Sequence, residues 1–268
     1  MGFNCSKRHL AAFALAGLLT NSVYSAPYEI IDLGNFGGFK SVAFALNEIN
    51  EVVGNADGAE IPQDQVDQDN LPPVCSNGVG LNFQEFCDHA FYYSNGVITD
   101  LGVLNNDGSF AISINNSSNI VGFALETIDD GDPDTFDQVL ERAFISIAGG
   151  PIEALPFPDE TAFLPAGINP VMRAQHISDA NVVTGFAFIG VLVPDTEDTF
   201  IPTRVPYLYD YDAGTFQFIP AFEEDDLDFT GTGRSINSSG QVVGWGSISL
   251  ESFHCFHKHF GIRQPKGG

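Results

Sequence analysis

The sequence predicts an all-β protein of four repeats, each with about four short strands, in a β-propeller-like arrangement. Three observations carry this prediction: a nine-residue motif occurs four times, two other short strand segments recur between its copies, and no helical period persists beyond the first 25 residues. With 268 residues, 44% of them hydrophobic, the chain can bury a real core. A complete small propeller and a fragment of a larger one both stay open, and a sandwich-like or open stacked array is the alternative.

Each copy of the motif places an aliphatic residue eight positions before a glycine. The copies are residues 46–54, 114–122, 177–185 and 236–244. Their glycines follow one another at intervals of 68, 63 and 59 residues. A period in this range is typical of propeller blades or solenoid units.

The residue types of the motif indicate a hairpin. The side chain of an Asn or Ser after the aliphatic residue can accept a hydrogen bond from the backbone N–H two residues further along, which begins a turn. The β-branched residues before the glycine favour a strand, and the glycine itself indicates a bulge or a close backbone approach. The positions that define this structural motif are Asn47, Gly54, Asn115, Gly122, Ser178, Gly185, Asn237 and Gly244.

Two further strand segments recur in each repeat. One has an aromatic centre and is found at residues 89–93, 142–145 and 205–209, with a weaker fourth copy at 254–257. The other is a strand that ends in a turn, as in residues 98–102. We call the strands of a repeat a, b, c and d, where a and b form the motif hairpin.

The N-terminus has the pattern of a secretory signal. Lys7 and Arg8 precede an apolar run over residues 10–19, and a small residue, Ser25, stands before a plausible cleavage point. We therefore predict a signal peptide over 1–25 and an exported protein that is periplasmic, on the cell surface or extracellular. No later segment is long and apolar enough to cross a bilayer, so no transmembrane segment is expected after cleavage.

The remaining chain is predicted to be one repeat domain over 26–257. Residues 258–268 form a basic tail that is expected to be disordered or non-native. Export permits disulfides, and Cys75 and Cys87, which lie in one predicted loop, are the natural pair. His176 occupies a strand position and is expected to be a structural histidine.

The charge of the chain excludes some partners. A formal net charge of -25 repels phosphates and anionic lipid, so we expect no nucleic-acid partner. A solvated acidic surface accounts for this charge, and cation binding is the alternative.

One acidic segment suggests calcium. Asp130, Asp132 and Asp134 alternate along it, and Glu141 follows eleven residues after the first of them. Calcium loops place oxygen ligands at this kind of spacing, although Thr135 stands where the sharp-turn glycine belongs. Calcium is therefore the one cofactor the sequence suggests, with a plain acidic loop as the alternative. The identity of any other metal is unknown.

The joint order of these motifs resembles the HAF-repeat extracellular family and, within it, the DUF3466-like exported proteins of gammaproteobacteria. The resemblance rests on the Asp-Leu-Gly triplets at 32–34 and 100–102, on the repeated hairpin motif, and on the Ala-Phe pairs beginning at Ala90 and Ala143. That family has no assigned activity, so the resemblance implies no catalytic residues. Its members are longer, which leaves open whether this chain is a truncated copy.

The function expected from the sequence is binding. No nucleophile elbow and no glycine-rich phosphate loop occurs in the sequence. The segments between strands b and c vary in length and carry much of the acid, and equivalent loops of a repeat protein emerge on one face. We therefore expect a non-catalytic binding or surface-associated module whose variable acidic loops contact an unknown glycan or protein. The alternatives are a carbohydrate-active hydrolase or lyase, and a structural envelope or matrix component.

Overall fold

The chain divides into two compact units, Met1–Asp32 and Leu33–Gly268. The computed structural model describes residues 30–58, 88–104, 108–128, 138–159, 161, 164, 168–192, 200–219, 230–250 and 254–262. All of its strands lie in the second unit. The predicted signal peptide and the cysteine pair lie outside the described residues.

The described residues contain fifteen strands and no α-helix, which confirms the predicted all-β class. The strands are β1 (Gly37–Leu46), β2 (Val52–Gly58), β3 (Asp88–Ser94), β4 (Val97–Asp100), β5 (Ser109–Ile114), β6 (Ile120–Ile128), β7 (Gln138–Ser146), β8 (Ile152–Ala154), β9 (Met172–Ile177), β10 (Val182–Leu192), β11 (Phe200–Asp210), β12 (Thr215–Phe218), β13 (Thr230–Ile236), β14 (Val242–Leu250) and β15 (His254–Ile262).

Each repeat forms one antiparallel sheet whose strands lie side by side in chain order. Sheet 1 is β1-β2-β3-β4, sheet 2 is β5-β6-β7-β8, and sheet 3 is β9-β10-β11-β12. Sheet 4 is β13-β14-β15, three strands in the part of the chain that is described. Every strand pairs with its sequence neighbour, so one sheet corresponds to one copy of the repeat.

The four motif hairpins have the same turn, as the sequence predicts. In the first, the Asn47 side-chain oxygen accepts hydrogen bonds from the backbone N–H groups of Ile49 and Glu51 at 3.2 and 3.0 Å. Asn115 and Asn237 bond their turns in the same way. The fourth residue of each turn has a positive φ, which Asn and Gly tolerate best. These residues are Asn50 (64°), Ser118 (60°), Asn181 (58°) and Gly240 (72°).

The motif glycine marks a β-bulge, as its position predicts. In all four hairpins one residue of strand a is left unpaired next to the glycine of strand b. A Cβ added to Gly122 would lie 1.8 Å from the Phe110 carbonyl oxygen, and Gly54 and Gly185 are equally crowded by Val42 and Arg173. Only glycine therefore allows the bulged backbone to approach this closely. The unpaired residues are Phe44, Ile112, Gln175 and Arg234.

The fourth aromatic strand is displaced from its predicted place. In sheets 1 to 3 the residue opposite the motif glycine is Phe91, Phe144 or Tyr207. In sheet 4, Phe260 lies opposite Gly244, and the predicted Phe256 pairs with Ile248. The prediction that residues 254–257 are the fourth copy is wrong, because strand pairing rather than local likeness sets the register. Residues 258–262 of the predicted basic tail consequently lie in β15.

The core lies between successive sheets. Val53 and Ala90 of sheet 1 pack with Ile114 and Phe144 of sheet 2 in one cluster of buried side chains. A second cluster joins sheets 2 and 3, and a third joins sheets 3 and 4. Fully burying a valine, isoleucine or phenylalanine side chain contributes about 1.5–3 kcal/mol. A single sheet cannot bury its apolar residues alone, so each repeat depends on its neighbours.

Hydrogen bonds between successive turns form what we call the turn ladder. The Asn47 amide donates to the Asn115 carbonyl at 3.0 Å, and the Asn115 amide donates to the Ser178 carbonyl at 3.0 Å. In parallel, the backbone N–H of Glu48 donates to the side-chain oxygen of Asn116, and the backbone N–H of Asn116 donates to the carboxylate of Asp179. The ladder thus joins repeats 1 to 3. Serine at position 178 has no amide, and its hydroxyl accepts from Val182 within its own turn.

A carboxylate is buried in the first step of this ladder. Glu51 accepts hydrogen bonds from Tyr92, from Asn47 at 2.7 Å and from Ser118 at 2.7 Å. Burial acts to raise the pKa of Glu51, but the hydrogen bonds together hold it below its ordinary value. Glu51 is therefore held as a charged acceptor that ties sheet 1 to sheet 2.

The motif glycine supplies the first test of this fold. Gly122→Ala is expected to lower the free energy of unfolding by about 3 kcal/mol or more, because the new Cβ overlaps a backbone oxygen. Gly96→Ala is the control: Gly96 has open space around it and a φ of 83°, so only about 1 kcal/mol of backbone strain is expected. Urea unfolding measures both, and equal losses would contradict the role of the bulge.

The turn ladder supplies the second test. Asn115→Ala removes bonds within its turn and two donations to repeat 3, to Ser178 and Asn181. Asn237→Ala removes the same bonds within its turn, but its amide donates only to Gln241 among the described residues. We expect Asn115→Ala to cost about 1–2 kcal/mol more in urea unfolding, since each lost bond is worth about 1 kcal/mol. Equal costs would mean that the ladder does not stabilise the array.

Candidate functional site: an arginine cavity

A cavity of about 350 Å³, which we call the arginine cavity, lies where sheet 3 meets sheets 2 and 4. Sheet 3 supplies most of its wall, with Glu141 from β7 on one side and two residues of β13 on the other. Its lining residues are Glu141, Val171, Arg173, Gln175, Phe186, Phe188, Arg204, Thr232 and Arg234. Three of the ten basic residues of the chain therefore face one cavity.

Arg173 is neutralised within the cavity. Its guanidinium binds the Glu141 carboxylate through two bonds of 2.5 and 2.6 Å, which is the strong bidentate geometry. The same guanidinium lies 4.1 Å from the ring centroid of Phe123. This pair joins sheet 2 to sheet 3, and it leaves the other two arginines as the surplus charge.

Arg204 is a stacked guanidinium with spare donors. It lies 3.7 Å from the ring centroid of Phe186 and 5.0 Å from that of Trp245, and it donates to the Thr232 hydroxyl at 2.6 Å. Its Nε atom is buried and has no hydrogen-bond partner among the described residues. Burial, and then the like charges of Arg173 and Arg234, lower the pKa of Arg204. A buried donor without a partner costs free energy, so the Arg204 Nε–H is an unsatisfied group at the wall of the cavity.

Arg234 enters the cavity because of the repeat itself. Arg234 is the unpaired bulge residue of β13, and Gln175 is the unpaired bulge residue of β9. A bulge changes the direction of the side chain at the unpaired residue. Arg234 is exposed and donates to the Gln175 side-chain oxygen at 3.1 Å. Neither Arg204 nor Arg234 forms an ion pair with a carboxylate of the described residues. Among the described residues that line the cavity, three guanidinium groups against one carboxylate leave two positive charges in excess.

The three arginines of the cavity lie in none of the sequence motifs, but their spacing is regular. The arginines between positions 9 and 262 are residues 142, 173, 204 and 234, at intervals of 31, 31 and 30. This interval is half of the repeat, so they fall alternately on strands c and a. Without the packing of the sheets, however, nothing in this spacing shows that three of them meet. Arg142 stays outside the cavity, bound to Glu126 at 3.1 Å.

A second cavity, of about 400 Å³, lies among the four motif turns. Its polar lining includes Asn47, Asn115 and Asp179, whose side chains already bond one another's turns in the ladder. His176 also lines it and accepts a hydrogen bond from the backbone N–H of Ile236 at 3.4 Å, as expected of a structural histidine. Burial lowers the pKa of His176. These groups are used in holding the repeats together, so the arginine cavity is the better site for a ligand.

The calcium loop stays a prediction. Asp130, Asp132 and Asp134 lie outside the described residues, and Glu141 lies in β7 with both carboxylate oxygens bound to Arg173. No group of three or more metal-ligating side chains is found within the described part of the chain. No helix there is long and apolar enough to cross a membrane.

A buried carboxylate pair lies in sheet 1. Asp57 and Asp88 face each other across β2 and β3, and they are 8% and 7% exposed. Burial, together with the hydrogen bond and charge of Asp88, raises the pKa of Asp57 to about 6, against a partial opposing effect of Lys40. Asp57 therefore keeps its proton in weakly acidic solution. Asp88 occupies the repeat position held by Glu141 in sheet 2 and Arg204 in sheet 3.

Comparison with models of known protein families, with curated proteins and with solved structures gives no match. The functional assignment therefore depends on the geometry of the arginine cavity.

The Asp57–Asp88 pair predicts how the stability of the fold depends on pH. The folded state holds the Asp57 proton up to about pH 6, whereas the unfolded chain loses it near 3.8. The free energy of unfolding therefore falls as pH rises from about 4 to 6. Asp57 contributes on the order of 2 kcal/mol to this fall. Asp57→Asn should remove that loss, so its stability relative to the wild type should rise between pH 4 and 7 in urea unfolding.

Asp100→Asn is the matched control for this measurement. Burial acts to raise the pKa of Asp100, but the hydrogen bonds from His89 and Gly102 hold it below its ordinary value. Asp100 therefore stabilises the fold above its unfolded pKa, and this contribution is lost on acidification. Between pH 4 and 7 the stability of Asp100→Asn relative to the wild type should therefore stay nearly constant, and a rise like that of Asp57→Asn would contradict the assignment for Asp57.

Proposed function

We propose that this chain is an exported, non-catalytic binding module that holds the carboxylate of a small anionic ligand in the arginine cavity. The observation that carries the proposal is the surplus of positive charge, Arg204 and Arg234, inside a chain with a net charge of -25. Exposed surface charges need no partner, but Arg204 is a partly buried cation that also feels the like charge of Arg234, and a bound anion would offset both costs.

The carboxylate class is supported by the donors. Guanidinium groups bind carboxylates through paired N–H donors, and Arg204 has a buried Nε still to be satisfied. Gln175 and Thr232 beside it offer neutral hydrogen bonds, while Phe188 and Val171 offer apolar contact. A volume of about 350 Å³ is within the range of small-molecule sites and admits a single sugar ring. An acidic monosaccharide such as a uronate combines these features.

The position of the cavity agrees with the loops expected to bind. Residues 193–199 join β10 to β11, which carries Arg204, and residues 129–137 join β6 to β7, which carries Glu141. The cavity is thus adjacent in sequence to two of the variable acidic connections. A propeller-like array of the four sheets, and membership of an exported repeat family that the motifs resemble, are parts of the same proposal.

Calorimetric titration tests this function. D-glucuronate should bind, and D-glucose, which lacks the carboxylate, should bind at least tenfold more weakly. Arg204→Gln and Arg234→Gln should each weaken glucuronate binding at least tenfold, since a hydrogen bond to a charged group is worth about 1.5–3 kcal/mol.

Arg142→Gln is the control, because Arg142 lies outside the cavity, and it should leave binding unchanged. Thermal unfolding of each variant shows that the fold is retained. Equal binding of glucose and glucuronate would overturn the role of the arginines. No heat with glucuronate, sulfate or phosphate would overturn the anion site altogether.

A further inference from the structure

Two positions of each repeat form the contact between successive sheets. Leu46 is the last residue of strand a in sheet 1, and it pairs with Val52, the first residue of strand b. Because residues paired across two strands point to the same side, both lie on one face of the sheet. We call this the leading face. The next residue along strand b, Val53 in sheet 1, points to the opposite, trailing face. In the cluster between sheets 1 and 2, trailing Val53 packs with leading Ile114.

The leading position is buried in three repeats and exposed in one. Ile114, Ile177 and Ile236 are 7%, 1% and 2% exposed, because each lies against the sheet before it. Leu46, at the same position in sheet 1, is 69% exposed. An isolated exposed leucine needs no explanation, but this one holds a position that the fold elsewhere buries.

The trailing position shows the reverse order. Val53, Val121 and Thr184 are each 0% exposed, because the following sheet covers them. Val243, at the same position in sheet 4, is 54% exposed. The leading face of sheet 1 and the trailing face of sheet 4 are therefore the two halves of a contact that the chain forms three times within itself.

We propose that a second copy of this chain docks head-to-tail, with the leading face of sheet 1 on one protomer against the trailing face of sheet 4 on its partner. The partner is a second copy because each exposed half already has its complement on the same chain. Such a contact is heterologous, and two copies satisfy both halves by closing a ring of eight sheets. Eight is within the number of blades that propellers use.

The turn ladder continues in the same direction. The Asn47 amide donates twice, to Glu51 at 2.7 Å and to the next turn at Asn115. The Asn237 amide donates once among the described residues, to Gln241 at 2.9 Å. Its second N–H has no acceptor among the described residues, so it is available to continue the ladder from sheet 4. In the docked pair it donates to the Asn47 carbonyl of the partner protomer, the group equivalent to the Asn115 carbonyl.

Light scattering after size-exclusion chromatography of the purified chain tests this contact. The wild type should be a dimer, and Leu46→Asp and Val243→Asp should each raise the dissociation constant at least a hundredfold, giving monomers. Ile49→Asp and Val97→Asp are the controls, since both residues are comparably exposed, at 57% and 61%, and hold neither position of the contact. These controls should stay dimeric, and thermal unfolding should show all four variants folded.

A mixing experiment separates head-to-tail docking from other modes. Leu46→Asp keeps a normal trailing face, and Val243→Asp keeps a normal leading face. Mixing the two monomers should therefore restore a dimer through one intact contact, whereas a face-to-face dimer would not recover. Larger assemblies abolished by the same two variants support the same contact. A wild type that is monomeric at all concentrations, or mixed variants that stay monomeric, would overturn the proposal.

Discussion

The structure depends on the close approach between the motif glycine of strand b and a carbonyl group of strand a. In sheets 1 to 3 a side chain at this point would overlap the backbone, and a bulge lies beside the motif glycine in all four sheets. The bulge sets the register of the hairpin and decides where one residue of strand a is directed. In sheets 3 and 4 that residue is Gln175 or Arg234, so the same constraint that defines the repeat also shapes the arginine cavity.

The two kinds of inter-repeat contact are unevenly distributed along the array. Repeats 1 to 3 are joined by the turn ladder, in which side-chain amides donate to the carbonyl of the next turn. Ser178 and Val182 have no side-chain amide that could donate a hydrogen bond to repeat 4. There, bonds from Arg204 to Thr232 and from Arg234 to Gln175 join the sheets instead. The contact without the turn ladder is thus the one at which Arg204 and Arg234 line the arginine cavity.

The electrostatics of the cavity set it apart from the rest of the chain. Arg173 is bound by a bidentate carboxylate, while Arg204 is partly desolvated, stacked on Phe186 and repelled by the charges of Arg173 and Arg234. Stacking on Phe186 offsets part of the desolvation, since an aromatic face attracts a cation. It does not supply the hydrogen-bond acceptor that the buried Nε needs. The carboxylate ligand proposed above would supply both a negative charge and a hydrogen-bond acceptor.

The sequence by itself determined the hairpins, their equal turns and the bulge beside the glycine, because each follows from the local chemistry of Asn47, Gly54 and their equivalents. Only the tertiary structure decided the rest. The partner of Gly244 is Phe260 rather than a residue of the predicted segment, because pairing along the whole of β14 sets that register. Arg173, Arg204 and Arg234 lie about 30 residues apart on three strands, and only the packing of sheet on sheet brings their charges into one cavity.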